Sequence, residues 1–216
     1  MFEIFDQFHP HTPGWLYMWA LLIAAAFMIA VAVERGYFIW VKSNINSGKF
    51  MAEIKKLVIA GQYQEALELC DTVGDKALPR VIKAGLQLVV TNKTADFRAI
   101  QNSVDEGTLE VIPKLQERTG FLAMISNVAT LIGLMGTIYG LILAFSAVSE
   151  PGYDATQKSA FLAAGISAAM NTTLMGLAIA IPAVIIYTFI HNKTIRIIDE
   201  IDEHTVKLIN IITGNK

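Results

Sequence analysis

The chain has 216 residues, 54% of them hydrophobic and 17% charged, with a mean hydropathy of +0.48 and a formal net charge of -2. So apolar a composition excludes an ordinary soluble globule, and the absence of a basic cluster excludes a nucleic-acid partner. Cys70 is the single cysteine, so no intramolecular disulfide forms, and it reads as a small buried helix residue.

Taken in chain order, residues 1–14 form a short terminal segment with Glu3 and Asp6 but no Lys or Arg, the wrong charge for the start of a signal peptide. His9 and His11 on this segment are two isolated imidazoles, too few for a metal site. Trp15 to Val33 then carries no charged residue, and Tyr37, Phe38 and Trp40 extend the run as an aromatic belt. The expectation is a retained transmembrane helix over 15–41, with Glu34 and Arg35 pairing structurally at the membrane boundary.

Residues 42–120 read as a helical domain. Phe50, Ile54, Leu57 and Val58 repeat at helical spacing, as do Leu78, Val81, Ile82, Gly85, Leu86 and Val89, with Gly61 and Gly74 as punctuation. Phe97, Ile100, Val104, Val111 and Leu115 continue toward the next apolar run without an obvious turn, Pro113 supplying at most a kink. This predicts a helix projecting out of the membrane.

Phe121 to Val148 and Phe161 to Ile190 contain no Asp, Glu, Lys or Arg. Each exceeds the roughly 20 residues that cross hydrocarbon, predicting transmembrane helices over 121–148 and 161–190 with a loop at 149–160. Residues 191–216 form a helical tail in which Ile198, Ile201, Leu208 and Ile212 make a packing seam, and Asp199, Glu200, Asp202 and Glu203 a solvated face. Of the 17 Lys and Arg residues only Lys158 falls on the side shared by the N-terminus and the 149–160 loop. The positive-inside rule therefore places the 42–120 domain and the tail in the cytoplasm and the N-terminus outside.

Both of the later spans carry small and hydroxyl residues in stripes. Ser126, Thr130, Gly133, Thr137 and Gly140 share one face of the second span, with Gly136 beside it. Gly165, Ala169, Thr172, Gly176, Ala180 and Ala183 trace a face of the third, flanked by Asn171 and Thr173. Such stripes pack helices closely, and hydroxyls bonded to carbonyls one turn earlier explain many of them. Amides in hydrocarbon need partners, which singles out Asn171 and Asn127, and Pro182 bends the third span. An enzyme is not expected: the histidines lie outside the spans, and no Ser/His, paired Asp, HExxH or P-loop arrangement occurs.

The run Gly133, Leu134, Met135, Gly136, Thr137, Ile138, Tyr139, Gly140 resembles the second-span motif of the ExbB/TolQ/MotA family of ion-channel proteins. Thr173 through Val184 resembles the third-span motif. Three spans favour the ExbB/TolQ branch over the four-span flagellar stator branch. The resemblance implies an all-α integral membrane protein of the bacterial inner membrane, with three transmembrane helices and long cytoplasmic helical extensions, assembled as a homo-pentameric ring.

It further implies a dimeric single-span partner similar to ExbD or TolR that supplies the ion-binding Asp, no bound cofactor, and transport of H⁺ or Na⁺. Thr137 and Thr173 match the family's paired threonines, with Thr172, Asn171 and Thr130 beside the same pathway and Gly133, Gly136, Gly140, Gly176 and Pro182 shaping its packing. One departure stands out: where many ExbB and TolQ sequences carry a Glu before the third-span threonine, this chain has Ala168. Neutral oxygen donors without a carboxylate keep transient Na⁺ at Thr137 and Thr173 in play beside H⁺. The competing reading is a non-conducting membrane scaffold, in which the threonines and glycines only pack helices.

Overall fold

Charge-free stretches rich in Leu, Ile, Ala and Met satisfy their backbone groups only as helices in lipid. The computed structural model, which describes residues 8, 9, 12, 14–92, 96–149 and 151–214, is all-helical in its regular structure. The readings placed on Glu3, Asp6 and His11 lie outside the described residues. In order the helices are α1 (Trp15–Tyr37), which runs on into a π-helical turn (Phe38–Ser43), α2 (Ser47–Ile59), α3 (Tyr63–Thr72), α4 (Ala77–Thr91), α5 (Phe97–Gln116), α6 (Thr119–Ser149) and α7 (Ala155–Thr213). Three helical stretches, containing α1, α6 and α7, are long and apolar enough to cross a membrane.

The chain divides into two units, residues 1–33 with 118–188, and residues 34–117 with 189–216. In the first, α6 and α7 pack along a continuous line of small residues. Toward α1, the Tyr17 and Tyr139 rings meet at 5.5 Å and those of Phe27 and Phe121 at 6.3 Å. Ile23, Ile29, Leu131, Ile142, Met170 and Ile181 point outward, more than half exposed. Apolar exposure on this scale suits lipid or further protein, not water.

The second unit is a small helical bundle. Phe50, Ile54, Val58, Leu78, Val81, Ile82, Leu86, Ile100, Val104 and Leu115 are buried, as their spacing predicts, whereas Leu57 of the same series is half-buried and Phe97 exposed. Asn46 and Asp96 cap α2 and α5 by accepting from the backbone N–H groups of Lys49 and Ala99 at 3.2 and 2.9 Å. Gly61 and Gly74 take positive φ, 73° and 81°, and stop α2 and α3 as a left-handed residue does. Close contact of α4 with α5 depends on Gly107, where an added Cβ would lie 2.9 Å from that of Ala84. Ser103 donates to the Ala84 carbonyl at 2.9 Å.

Three expectations change. The series from Phe97 does not run unbroken into the second span: Glu117 leaves helical geometry with ψ 141° and Arg118 adopts φ 58°, so α5 ends at Gln116 and α6 restarts at Thr119. The Glu117 N–H closes the last turn on the Pro113 carbonyl at 2.8 Å. The longest helical element is α7, 59 residues. It also starts earlier than Phe161, because Asp154 and Gln157 form a reciprocal capping box, each side chain accepting from the other's backbone N–H at 2.7 and 3.2 Å.

Finally, the tail seam is shifted from the one predicted. It runs through Ile190, Thr194, Ile197, Ile201, Thr205 and Leu208, all buried, while Ile198 and Ile212 are half-buried. Asp199, Asp202 and Glu203 are exposed as expected, and Glu200 is half-buried. Thr194 and Thr205 are tolerated inside because their hydroxyls donate to the Ile190 and Ile201 carbonyls at 2.9 and 2.8 Å.

Candidate functional site on the α6 and α7 pair

Small residues let two helix backbones approach until main-chain atoms touch. A Cβ built on Gly133 would lie 3.1 Å from the Thr172 carbonyl oxygen, and one on Gly176 would lie 2.7 Å from that of Ala129. Gly140 and Gly165 repeat the arrangement: a Cβ built on either would lie 3.1 Å from the other's carbonyl oxygen. At Gly136 the added carbon would meet the Thr172 side chain. Contacts that rise along α6 while falling along α7 make the pair antiparallel.

Among the described residues, two hydrogen bonds cross this seam. The buried Ser126 hydroxyl donates to the Ala180 carbonyl at 2.9 Å, and Thr173 Oγ1 donates to the Gly133 carbonyl at 3.1 Å. Ala180 belongs to the turn that Pro182 disturbs, since proline offers no N–H to the carbonyl four residues back. Ser126 was legible only as one member of a stripe; nothing in its spacing marks it as the residue that reaches across.

The remaining hydroxyls divide by position. Thr172 is 1% exposed and donates locally to Ala169 at 2.8 Å, so it belongs to the seam itself. Thr130 and Thr137 lie about 60–80° round α6 from the buried line at 3.6 residues per turn, and Thr173 about 80° round α7 toward the same side. Thr130 is exposed, Thr137 and Thr173 half-buried. Thr130 donates to the Ser126 carbonyl at 3.0 Å and Thr137 to that of Leu134 at 2.6 Å, which leaves their oxygen lone pairs free to accept.

Asn171 turns about 120° to the opposite flank, half-buried. It is thus separated from the threonine flank with which the sequence grouped it. Ala168 is buried at 3%, so the position that would hold a glutamate contributes only packing. Among the described residues the flank therefore presents neutral oxygens on an apolar helix pair, with no Asp, Glu, His, Lys or Arg in either charge-free run. It can hydrogen-bond a carboxylate or carboxylic acid from elsewhere; alone it cannot hold or release a proton at neutral pH.

In the second unit, Arg35 is buried, 3% exposed, and its guanidinium donates to the carbonyls of Lys114 and Leu115 while lying 4.9 Å from the centre of the Phe38 ring. Arg35 thus has a fixed structural seat. Nearby, Lys114 and Arg80 hold the Glu110 carboxyl below its usual range.

The sequence model of the MotA/TolQ/ExbB proton channel family matches residues 74–203, well over half of the chain. The chain belongs to that family. It is 26% identical over 189 residues to the biopolymer transport protein ExbB of Pseudomonas putida, covering 83% of this chain and 56% of that protein. It therefore spans little more than half the length of that relative. The Tol-Pal system protein TolQ of Haemophilus influenzae is 41% identical over a shorter stretch of 76 residues, 35% of this chain and 32% of TolQ. Among solved structures, C. jejuni MotAB shares the fold with a TM-score of 0.66 at 19% identity, covering 95% of this chain and 79% of that one.

Proposed function

We propose that this chain is the channel-forming subunit of an inner-membrane motor driven by an ion gradient, passing H⁺ or Na⁺ along an interface with a single-span partner of the ExbD/TolR kind. The observation that carries the reading is the flank of Thr130, Thr137 and Thr173: hydroxyl acceptors on an apolar helix pair, with no charge of its own. A carboxylate brought by a partner helix supplies the missing titratable group. Protonation or cation binding there neutralises the partner's Asp, weakens its hold on one threonine flank, and lets it move to the flank of the next subunit.

A ring is needed for that movement to repeat, and a homo-pentamer around a partner dimer has the mismatched symmetry that keeps one Asp engaged while the other is released. Each charge crossing the membrane yields about 2.3 kcal/mol per 100 mV, so several ions drive one useful stroke. In this arrangement the N-terminus and the loop after α6 face the periplasm, while residues 42–120 and the end of α7 lie in the cytoplasm, following the distribution of Lys and Arg. The conformational change in the partner transmits force outward.

Native mass spectrometry of the full chain, co-expressed with an adjacently encoded single-span protein bearing an Asp in its membrane helix, tests the assembly. Five copies retaining two of the partner is the expected result. A monomer or dimer that ignores every such partner overturns it and returns the seam to packing alone.

A further inference from the structure

A cavity of about 250 Å³ in the second unit, outside the threonine flank, has the lining of an anion site. Its walls include Lys42, Lys76, Arg80 and Lys114 against a single carboxylate, Asp75. Arg80 pairs with Asp75 at 2.9 Å and also with Glu110, and Lys114 pairs with Glu110 at 3.0 Å. Lys42 and Lys76 have no carboxylate partner among the described residues, Lys42 resting 5.9 Å from the Phe38 ring centre.

Two further groups at the cavity lack protein partners. Ser43 is 4% exposed and lines it, and among the described residues its hydroxyl makes no hydrogen bond. The 15-residue helix α4 begins here with Ala77, and its N-cap, Lys76, provides no side-chain acceptor for the first backbone N–H groups. Helix N-termini left open in this way carry partial positive charge that favours a phosphate. The π-helical winding of Phe38–Ser43 carries Phe38, Lys42 and Ser43 to the cavity together.

The source of the phosphate follows from sequence position and wall chemistry. Phe38, Lys42 and Ser43 come directly after the charge-free run that ends at Val33, beside the exposed rings of Tyr37 and Trp40, and Lys114 shortly precedes the run from Phe121. Aromatic side chains of this kind settle at headgroup depth. Phe38, Val111 and Leu115 add an apolar wall of little use to a free inorganic ion but suited to glycerol and the first methylenes of a lipid.

We propose that this cavity binds the headgroup phosphate of an anionic phospholipid, held by Lys42, Lys76, the Ser43 hydroxyl and the open N-terminus of α4. The inference requires that the first apolar run span a bilayer; it does not depend on ion conduction. Anchored lipid would fix the chain between the end of the first span and the start of α4 without any contact to the threonine flank.

The test is native mass spectrometry of the full chain in detergent, titrated with phosphatidylglycerol or with phosphatidylcholine of the same acyl chains. Phosphatidylglycerol adducts should dominate. Lys42→Gln with Lys76→Gln should weaken them about 25-fold, at about fivefold for each lysine near a lipid surface. The charge-matched pair Lys49→Gln with Lys56→Gln, on exposed positions of α2, should leave them unchanged.

Ser43→Ala, a smaller change, should weaken binding several-fold with an unaltered helical circular dichroism spectrum, and provides the reading should the double lysine variant not fold. Equal adducts of the two lipids, equal loss in the control pair, or undiminished binding in Ser43→Ala together with the cavity lysine variant would overturn the proposal. Displacement of phosphatidylglycerol by millimolar inorganic phosphate would overturn it too, assigning the cavity to a free anion.

Discussion

Gly176→Ala places one methyl group where α7 meets the backbone of α6. The new carbon would stand 2.7 Å from the Ala129 carbonyl oxygen and 3.1 Å from Gly133 Cα, both main-chain atoms that cannot rotate away. Restoring ordinary contact moves the helices apart by roughly 0.7 Å, enough to forfeit a quarter to a half of the dispersion energy of each contact that opens. The same movement stretches the Thr173 bond to Gly133, now 3.1 Å, beyond useful range.

Overpacking of this kind costs about 1–3 kcal/mol, and a lost hydrogen bond between membrane helices about 0.6. Alanine's better helix propensity returns about 1 kcal/mol, leaving a net loss of about 0.6–2.6 kcal/mol. Gly36→Ala is the matched control, because nothing lies within 4 Å of the carbon it adds. Unfolding in mixed micelles by increasing SDS, followed by circular dichroism, should place Gly176→Ala below the native chain and Gly36→Ala level with it or above. A Gly176→Ala chain as stable as Gly36→Ala would refute the close seam.

Other consequences are equally direct. Thr172→Val, which keeps the shape of a buried residue bonded only to Ala169, should leave ion flux intact and stability within about 1 kcal/mol, as measured in proteoliposomes and SDS titrations. Arg35→Met leaves the Lys114 and Leu115 carbonyls without their charged donor and should cost about 2–3 kcal/mol; an unchanged unfolding midpoint would contradict the seat described for it. Burial pushes the Cys70 thiol from its ordinary value near 9.0 up to about 12. The folded chain should therefore resist iodoacetamide at pH 8.5 while the denatured chain reacts readily. Because the native pKa is the higher one, this group's contribution to stability is complete below pH 9 and is lost as pH rises toward 12, a decline that Cys70→Ala should reduce.

Much of this was legible in the chain because the bilayer simplifies the code. Charge-free runs had to be helices, and Gly133, Gly140, Gly165 and Gly176 at helical spacing had to bring backbones together. Less legible were features set by a single residue's conformation. The positive φ of Arg118 breaks the α5 to α6 connection without a glycine to announce it. The start of α7 was readable in principle, since Asp154 and Gln157 have capping-box spacing, but the apolar run beginning at Phe161 is the louder signal.

Within the site, spacing placed Thr130 and Thr137 on the same stripe as Ser126 and Gly133, yet a stripe is wide enough to contain both a packed line and an open flank. Only the partner helix decides which is which. Asn171 and Thr173 are near in sequence but project to opposite flanks of α7 because two residues turn a helix through about 200°. The tail seam slipped to Ile197 from Ile198 for a related reason: neighbouring isoleucines are equivalent to a pattern, and Thr194 and Thr205, polar by type, complete the buried line once their hydroxyls turn back on the helix.

The most direct test of the proposed threonine pathway is ion flux in liposomes containing the chain and the single-span partner proposed for it, with a pH-sensitive dye inside and sodium present or absent outside. Thr173→Val with Thr137→Val should reduce flux by at least about tenfold, equivalent to roughly 1.4 kcal/mol, while Thr173→Ser with Thr137→Ser keeps most of it. Flux by the double valine variant equal to that of the unaltered assembly would contradict the account.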